Sequence, residues 1–209
     1  MTLILVYSLV MAEGVERMSK KRENREEATA DRYLRGLSAR WEDFQGKKVL
    51  DVGVLEGEFA DAARRRGIDV TSIDMRRRDW NRAHRSPTSR EGAKFVQGNA
   101  EMMPFAEGSF DALISHAGPF GSGDKDLFME AYRVLKPGGT LRLGPTPILP
   151  EGPAEGLPED GPERYAAIRQ RSKEFMGKLA KEIGFSDAQY YEHPPNEEGI
   201  ATCSFVLTK

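Results

Sequence analysis

The apolar positions of this chain change period along its length. Ala30, Tyr33, Leu34, Leu37, Trp41 and Phe44 recur at three- and four-residue steps. That spacing lays one apolar stripe along a helix, which Gly46 is expected to end. The pattern then switches. KKVLDVG is a short apolar run closing on glycine, as in a strand covered on both faces. IDVTSIDM, KFVQGNA, DALISHA and TLRLGPT read as four more strands. Between them, GEFADAARRRG and KDLFMEAYRVL carry helical spacing, the first stopped by Gly67 and the second by Lys136-Pro137-Gly138-Gly139. RRRDWNRAH predicts a short helix, broken by SPTSREG. After a proline-rich stretch, GPERYAAIRQRSKEFMGKLAKEIGF carries the longest helical pattern. SDAQYYEHPP and GIATCSFVLTK then predict two strands joined tightly by PNEEG, hence antiparallel.

Strands alternating with helices imply a parallel sheet with helices on both faces. The expected fold class is α/β: a doubly wound, Rossmann-like, seven-stranded and mostly parallel sheet with an antiparallel C-terminal hairpin. Ligands in such sheets sit beyond the carboxyl ends of the strands. Residues 1–24 read as a flexible N-terminal extension and 25–209 as a single domain.

Composition narrows the setting. The 209 residues include one cysteine, which excludes a disulfide framework and a cysteine-built metal cluster and fits a cytoplasmic location. A net charge of −2 creates no overall field that demands nucleic acid or membrane. The apolar start MTLILVYSLVM has eleven residues, short of the roughly 20 that span a bilayer. It lacks the basic start of a signal peptide. It reads as a poorly packed terminus, with a helix or strand docked on the domain or on a second subunit as the competing expectation. Lys20 to Glu27 is charged and expected to fray. Charge is uneven further on: Arg64 to Lys94 holds nine arginines and one lysine against four acids. A solvated basic face explains this stretch, and a cradle for an anionic substrate or RNA is the sharper alternative.

The candidate chemistry begins at VLDVGVLEGEFADAA, a glycine turn between a buried strand and a helix whose N-terminus offers free N–H groups. Gly53 permits the sharp turn, and Gly57 lets the helix start close to the strand. Asp74 ends the second strand, where a carboxylate can accept hydrogen bonds from a ribose diol. With GNAEMMPFAEGSFDALIS and EAYRVLKPGGTLRL in the same order, these blocks resemble the class I S-adenosylmethionine-dependent methyltransferases, of the small-molecule type found in quinone biosynthesis (methyltransferase type 11). The resemblance covers Val49 to about Leu143.

The resemblance implies S-adenosylmethionine as cofactor and a small-molecule methyl acceptor as partner, with no membrane and no nucleic acid. It implies that Asp51 and Gly53, with Leu55 and Gly57 in the same turn, line the methionine end. Asp74 would hold the ribose, Met75 would cover the adenine, Asn99 and Ala100 would read its edge, and Ser115 would sit near the methionine amine. His116 is the expected catalytic base where the acceptor must lose a proton. No metal is implied. The acceptor pocket is expected from Tyr33, Leu37 and Trp41 with the loops Pro119–Gly123 and Pro147–Pro162. Two positions depart from the family pattern: Leu55 replaces the middle glycine of D-x-G-x-G-x-G, and Asn99 stands where aspartate is usual. Leu55 keeps a second reading open, a methyltransferase-fold binding module with a degenerate site. A third, an RNA or protein methyltransferase, lacks the Asn/Asp-Pro-Pro-aromatic tetrad; Ser115-His116-Ala117-Gly118 stands there instead.

Overall fold

The computed structural model describes residues 2–54, 57–75, 94–145, 161–195 and 201–209. Seven strands form one sheet: β1 (Lys48–Val52), β2 (Asp69–Asp74), β3 (Lys94–Gln97), β4 (Phe110–His116), β5 (Leu135–Gly144), β6 (Asp187–Glu192) and β7 (Cys203–Thr208). Their order is β3-β2-β1-β4-β5-β7-β6. The first five strands pair in parallel. β7 is antiparallel to both β5 and β6, so the C-terminal hairpin closes the edge as the sequence predicts. Strand order reverses between β1 and β4, and the crevice at that switch point is where an open α/β sheet binds ligands.

Each inner strand is apolar on both faces because helices cover both. Val49, Ala112 and Ile114 pack with Leu34, Leu37, Phe44 and Phe59 on one side. Leu50, Leu113 and Leu141 pack with Phe128, Met176 and Phe205 on the other. The alternation along β1 and β4 is the pleat sorting successive side chains to opposite layers. The first layer belongs to α1 (Thr2–Gly36) and α2 (Glu58–Arg65), the second to α3 (Lys125–Val134) and α4 (Gly161–Ile183). Asp124 starts α3 by accepting from the Asp126 N–H at 2.9 Å, one of the donors that a helix start leaves unsatisfied.

Three sequence expectations are corrected. The helix expected to run to Gly46 ends at Gly36, and Trp41–Phe44 form a separate 3-10 turn. The cause is a Schellman closure: Ser38 adopts a left-handed φ of 47°, Ser38 N–H donates to Arg35 and Ala39 N–H donates to Leu34. Lys20 to Glu27, expected to fray, lies inside α1, held at its end by Glu26 and Glu27 pairing with Arg65 and Arg66 of α2. The fifth strand, expected at TLRLGPT, already begins at Leu135: Lys136 to Gly139, which follow the helix end at Val134 as expected, belong to β5, where Gly138 N–H donates to the Lys209 carbonyl and Lys209 N–H to that of Gly139. The short helix expected in RRRDWNRAH and nearly all of the Pro147–Pro162 loop lie outside the described residues.

Candidate active site

Residue Asp51 lies in β1, one residue before its end, and is 1% exposed. Beyond it Gly53 turns the chain at φ 80°, and its N–H donates to the Ile73 carbonyl at 3.0 Å. A side chain there would meet Pro119 at 3.0 Å and the Gly118 backbone at 3.2 Å, so both dihedral and space require glycine. The turn delivers the chain to Gly57, also left-handed, which caps α2. Between β1, the start of α2 and the last turns of α1 lies a cavity of about 60 Å³, lined by Asp51, Gly57, Phe59, His116 and, from α1, Arg32 and Tyr33.

The Tyr33 hydroxyl donates to Asp51 Oδ1. Its ring lies between two others, 4.8 Å from Phe59 and 4.4 Å from His116, both stacked. Burial pushes the Asp51 carboxyl up to about 7; the Tyr33 hydrogen bond opposes that rise and the charge of Asp74 adds to it. The Tyr33 hydroxyl is itself held well above its ordinary value, by burial first and then by the Asp51 charge. Burial lowers the His116 imidazole, with the charge of Arg32 acting the same way. His116 is therefore neutral near pH 7 and able to accept a proton. Behind it, α1 comes close because residue 36 is glycine: a Cβ there would stand 2.8 Å from His116 Nε2. Ala117, the next residue after β4, takes a left-handed φ of 51°, and its N–H donates to Gly144 at 2.7 Å. Left-handed alanine is strained backbone of the kind that clusters at functional sites.

Of the residues singled out from sequence, Asp51, Gly57 and His116 line this one cavity. Asp74 ends β2 at the same edge of the sheet and acts on Asp51 electrostatically. Met75 follows it and is 66% exposed. Asn99 and Ala100 follow β3. The Asn99 side chain is turned onto Glu101, accepting from its N–H at 3.1 Å, and Ala100 is buried in the core beside Met103. The Ser115 hydroxyl donates to the Val52 carbonyl at 2.9 Å, tying β4 to β1. Leu55 lies outside the described residues. Of the expected acceptor-pocket residues, Tyr33 lines the cavity, Leu37 is fully buried core, and Trp41 stacks on Phe59 at 5.4 Å with the Arg66 guanidinium over its ring at 4.2 Å. Sequence reasoning missed Arg32, Gly36 and Phe59. Arg32 neighbours Tyr33 on a recognisable amphipathic helix, but no spacing rule joins that helix to β1.

Among the described residues no basic side chain forms an ion pair with Asp51. A carboxylate buried without a cation is costly unless a ligand supplies one. S-adenosylmethionine carries an ammonium of that kind, and Asp74, at the end of β2 on the same edge of the sheet, offers acceptor oxygens of the kind a diol uses, so these residues fit the group. No cluster of potential metal ligands occurs among the described residues. No helix among them is long and apolar enough to cross a membrane.

A methyltransferase-domain family profile matches residues 50–143. A demethylmenaquinone methyltransferase of Thermobifida fusca is 31% identical over 161 residues, covering 67% of this chain and 67% of that protein. An erythromycin 3''-O-methyltransferase of Saccharopolyspora erythraea is 30% identical over 164 residues, covering 69% of this chain and 52% of that protein. The chain spans about half the length of several of the curated relatives it matches. A solved S-adenosylmethionine-dependent methyltransferase structure from Archaeoglobus fulgidus superposes with a TM-score of 0.60 at 15% identity, covering 88% of this chain and 94% of that one, a likeness of fold. On this sequence match, with the sheet order that accompanies it, the chain belongs to the class I S-adenosylmethionine-dependent methyltransferases of the small-molecule type.

Proposed function

We propose that this chain transfers a methyl group from S-adenosylmethionine to a small-molecule acceptor. The observation that carries the reading is Asp51, a buried carboxylate that pairs with no cation among the described residues and opens on a cavity beside His116. Asp51 and the Gly53 turn would hold the methionine end, Asp74 the ribose, and the chain after Asp74 and around Asn99 the adenine. Bound there, the cofactor supplies an activated methyl carbon whose sulfur leaves without covalent help. The protein's share is then alignment and exclusion of water. The Phe59–Tyr33–His116 stack walls one side of the cavity with rings, which keeps water out and fixes the imidazole plane. His116, kept neutral by burial, is the proposed base for an acceptor that must lose a proton.

The names of the relatives, a quinone precursor's methyltransferase and a macrolide's, support a small-molecule acceptor without selecting one. Leu55, in place of the motif's middle glycine, supports the second reading of a binding module with a degenerate site. Calorimetric titration with S-adenosylmethionine and S-adenosylhomocysteine separates them. An enzyme binds both at micromolar to millimolar concentration and loses that binding in Asp51→Ala. A degenerate module binds neither, and Leu55→Gly is then the variant expected to restore binding.

A further inference from the structure

We propose that Glu130 and Arg133 of α3 are positioning residues for base selectivity: they fix the loop after β3 in the conformation that tells adenine from a base with a different edge. This rests on the reading that the cofactor's adenine meets that loop at Asn99 and Ala100.

The backbone of the loop carries the inference. From Gly98 to Ser109 the chain joins β3 to β4 with no helix or strand. Backbone groups in such a stretch need partners from outside it. Two side chains of α3 supply three of them. Glu130 Oε1 accepts from the Met103 N–H at 2.7 Å. Arg133 donates to the Phe105 carbonyl at 2.8 Å and to the Met103 carbonyl at 3.1 Å. The pair also locks itself, with Arg133 Nε and Nη2 donating to the two Glu130 oxygens at 2.7 and 2.6 Å. The guanidinium is planar, so it sets direction as well as distance. α3 gives the pair a firm base, since Leu127, Phe128, Ala131 and Val134 are buried.

The grip falls beside the residues that would meet the base. On the near side, the Gly98 N–H donates to the Asp74 carbonyl at 3.1 Å. Asn99 to Met102 therefore run between an anchor on β2 and an anchor on α3. Within that span the Met102 N–H donates to the Asn99 carbonyl at 3.1 Å, so the short segment is turned as well as tethered. An exposed ion pair one turn apart on a helix contributes little to stability by itself. This pair holds backbone 27 to 30 residues away, and the Glu130 side chain is only 13% exposed. The hydrogen bond from Arg133, before any other cause, keeps the Glu130 carboxyl below its usual range, so the grip stays charged near neutrality. A base edge is recognised by matching donors to acceptors, and the 6-amino group of adenine donates where the 6-oxo group of hypoxanthine accepts. A loop fixed beforehand presents one matching set and rejects the other edge. A loop set free has to be ordered on binding and adapts to either.

The test compares two ligands that differ in the base edge alone, S-adenosylhomocysteine and S-inosylhomocysteine. Both are titrated calorimetrically into the full chain as wild type, Arg133→Met and Glu130→Gln. Wild type is expected to prefer the adenosyl ligand at least about tenfold. Both variants are expected to lose about tenfold in adenosyl affinity and little in inosyl affinity, so the preference collapses. Amide hydrogen exchange of the ligand-free proteins gives a second readout. Met102, Met103 and Phe105 should exchange at least about tenfold faster in Arg133→Met, with the amides of α3 and β4 unchanged. An unchanged preference in both variants overturns the proposal, whatever their melting temperatures, and so does loop exchange at the wild-type rate. A wild type that binds both ligands equally overturns instead the adenine reading of the loop, and one that binds neither overturns the cofactor site itself.

Discussion

At the scale of residues, Asp51 decides most. Its carboxyl titrates near 7 in the folded protein and near 3.8 when exposed, so the native state holds the proton more tightly than the unfolded chain. Its contribution is fully present below the unfolded value and is lost as pH rises through the folded one. Between pH 5 and pH 8 wild type should lose about 3 kcal/mol relative to Asp51→Asn, which has no such proton to lose. Urea unfolding of both proteins at the two pH values checks this, and parallel pH dependence would contradict it. A cationic ligand reverses the preference, so cofactor affinity should fall as pH drops below 7. At Asp74, Asp74→Ala should weaken S-adenosylhomocysteine by about 1.5–3 kcal/mol with little change in melting temperature. Unchanged affinity would remove the proposed ribose contact. The sequence pointed to Asp51, Gly57 and His116 because each lies at or beyond the carboxyl end of a strand in a recognisable block. It could not show the Tyr33–Asp51 hydrogen bond, which joins a helix to a strand 18 residues on. Nor could it show that Asn99 turns its amide onto its own loop, accepting from the Glu101 N–H.

At the scale of elements, α1 is the piece that completes the site. Its apolar stripe was legible in Leu34 and Leu37, but its end was not. Three- and four-residue spacing continues through Trp41 and Phe44, while the stop comes from a serine in a left-handed turn. That turn is held by tertiary contacts: Ser38 Oγ lies 2.8 Å from Ser204 Oγ, and Arg142 donates to the Ser38 carbonyl at 2.8 Å. The clasp between α1 and α2 was equally hidden, since Glu26 and Glu27 meet arginines 38 and 39 residues away. Glu27→Ala removes the partner of Arg66 and a second contact of Arg65. Both guanidiniums are about a third exposed, so a loss of about 1 kcal/mol is expected, smaller at high salt. A double-mutant cycle with Arg66→Ala measures it, and a coupling energy of zero would discard the clasp. Gly36→Ala tests the close approach. Helix propensity alone would favour alanine by about 1 kcal/mol. The overlap with His116, at 2.8 Å, predicts the opposite sign, a loss of about 1–3 kcal/mol. A shifted His116 ring resonance should accompany it; a variant more stable than wild type with that resonance unmoved would contradict the packing.

At the scale of the whole molecule, the sheet was the most legible feature. Parallel strands covered on both faces read as apolar runs, and each run here ends in a turn that punctuates it. Reversal of order between β1 and β4 fixes where a ligand can enter, and the sequence blocks fall at that edge for the same reason. What composition could not convey is the division of labour between layers. The layer holding Phe128, Met176 and Phe205 is closed core, whereas the layer holding Leu34 and Phe59 opens into the cavity beneath α1. Phe128→Ala in the closed layer, fully buried and edge-on to Phe120, should cost about 3–5 kcal/mol in chemical unfolding. The central claim is that this fold has a working cofactor site anchored at Asp51. Calorimetric titration of S-adenosylhomocysteine into wild type and Asp51→Ala at pH 8 tests it most directly. The account predicts one site per chain in wild type and at least a tenfold weaker one in the variant. No heat of binding to wild type at millimolar ligand, or the same affinity in both proteins, would contradict it.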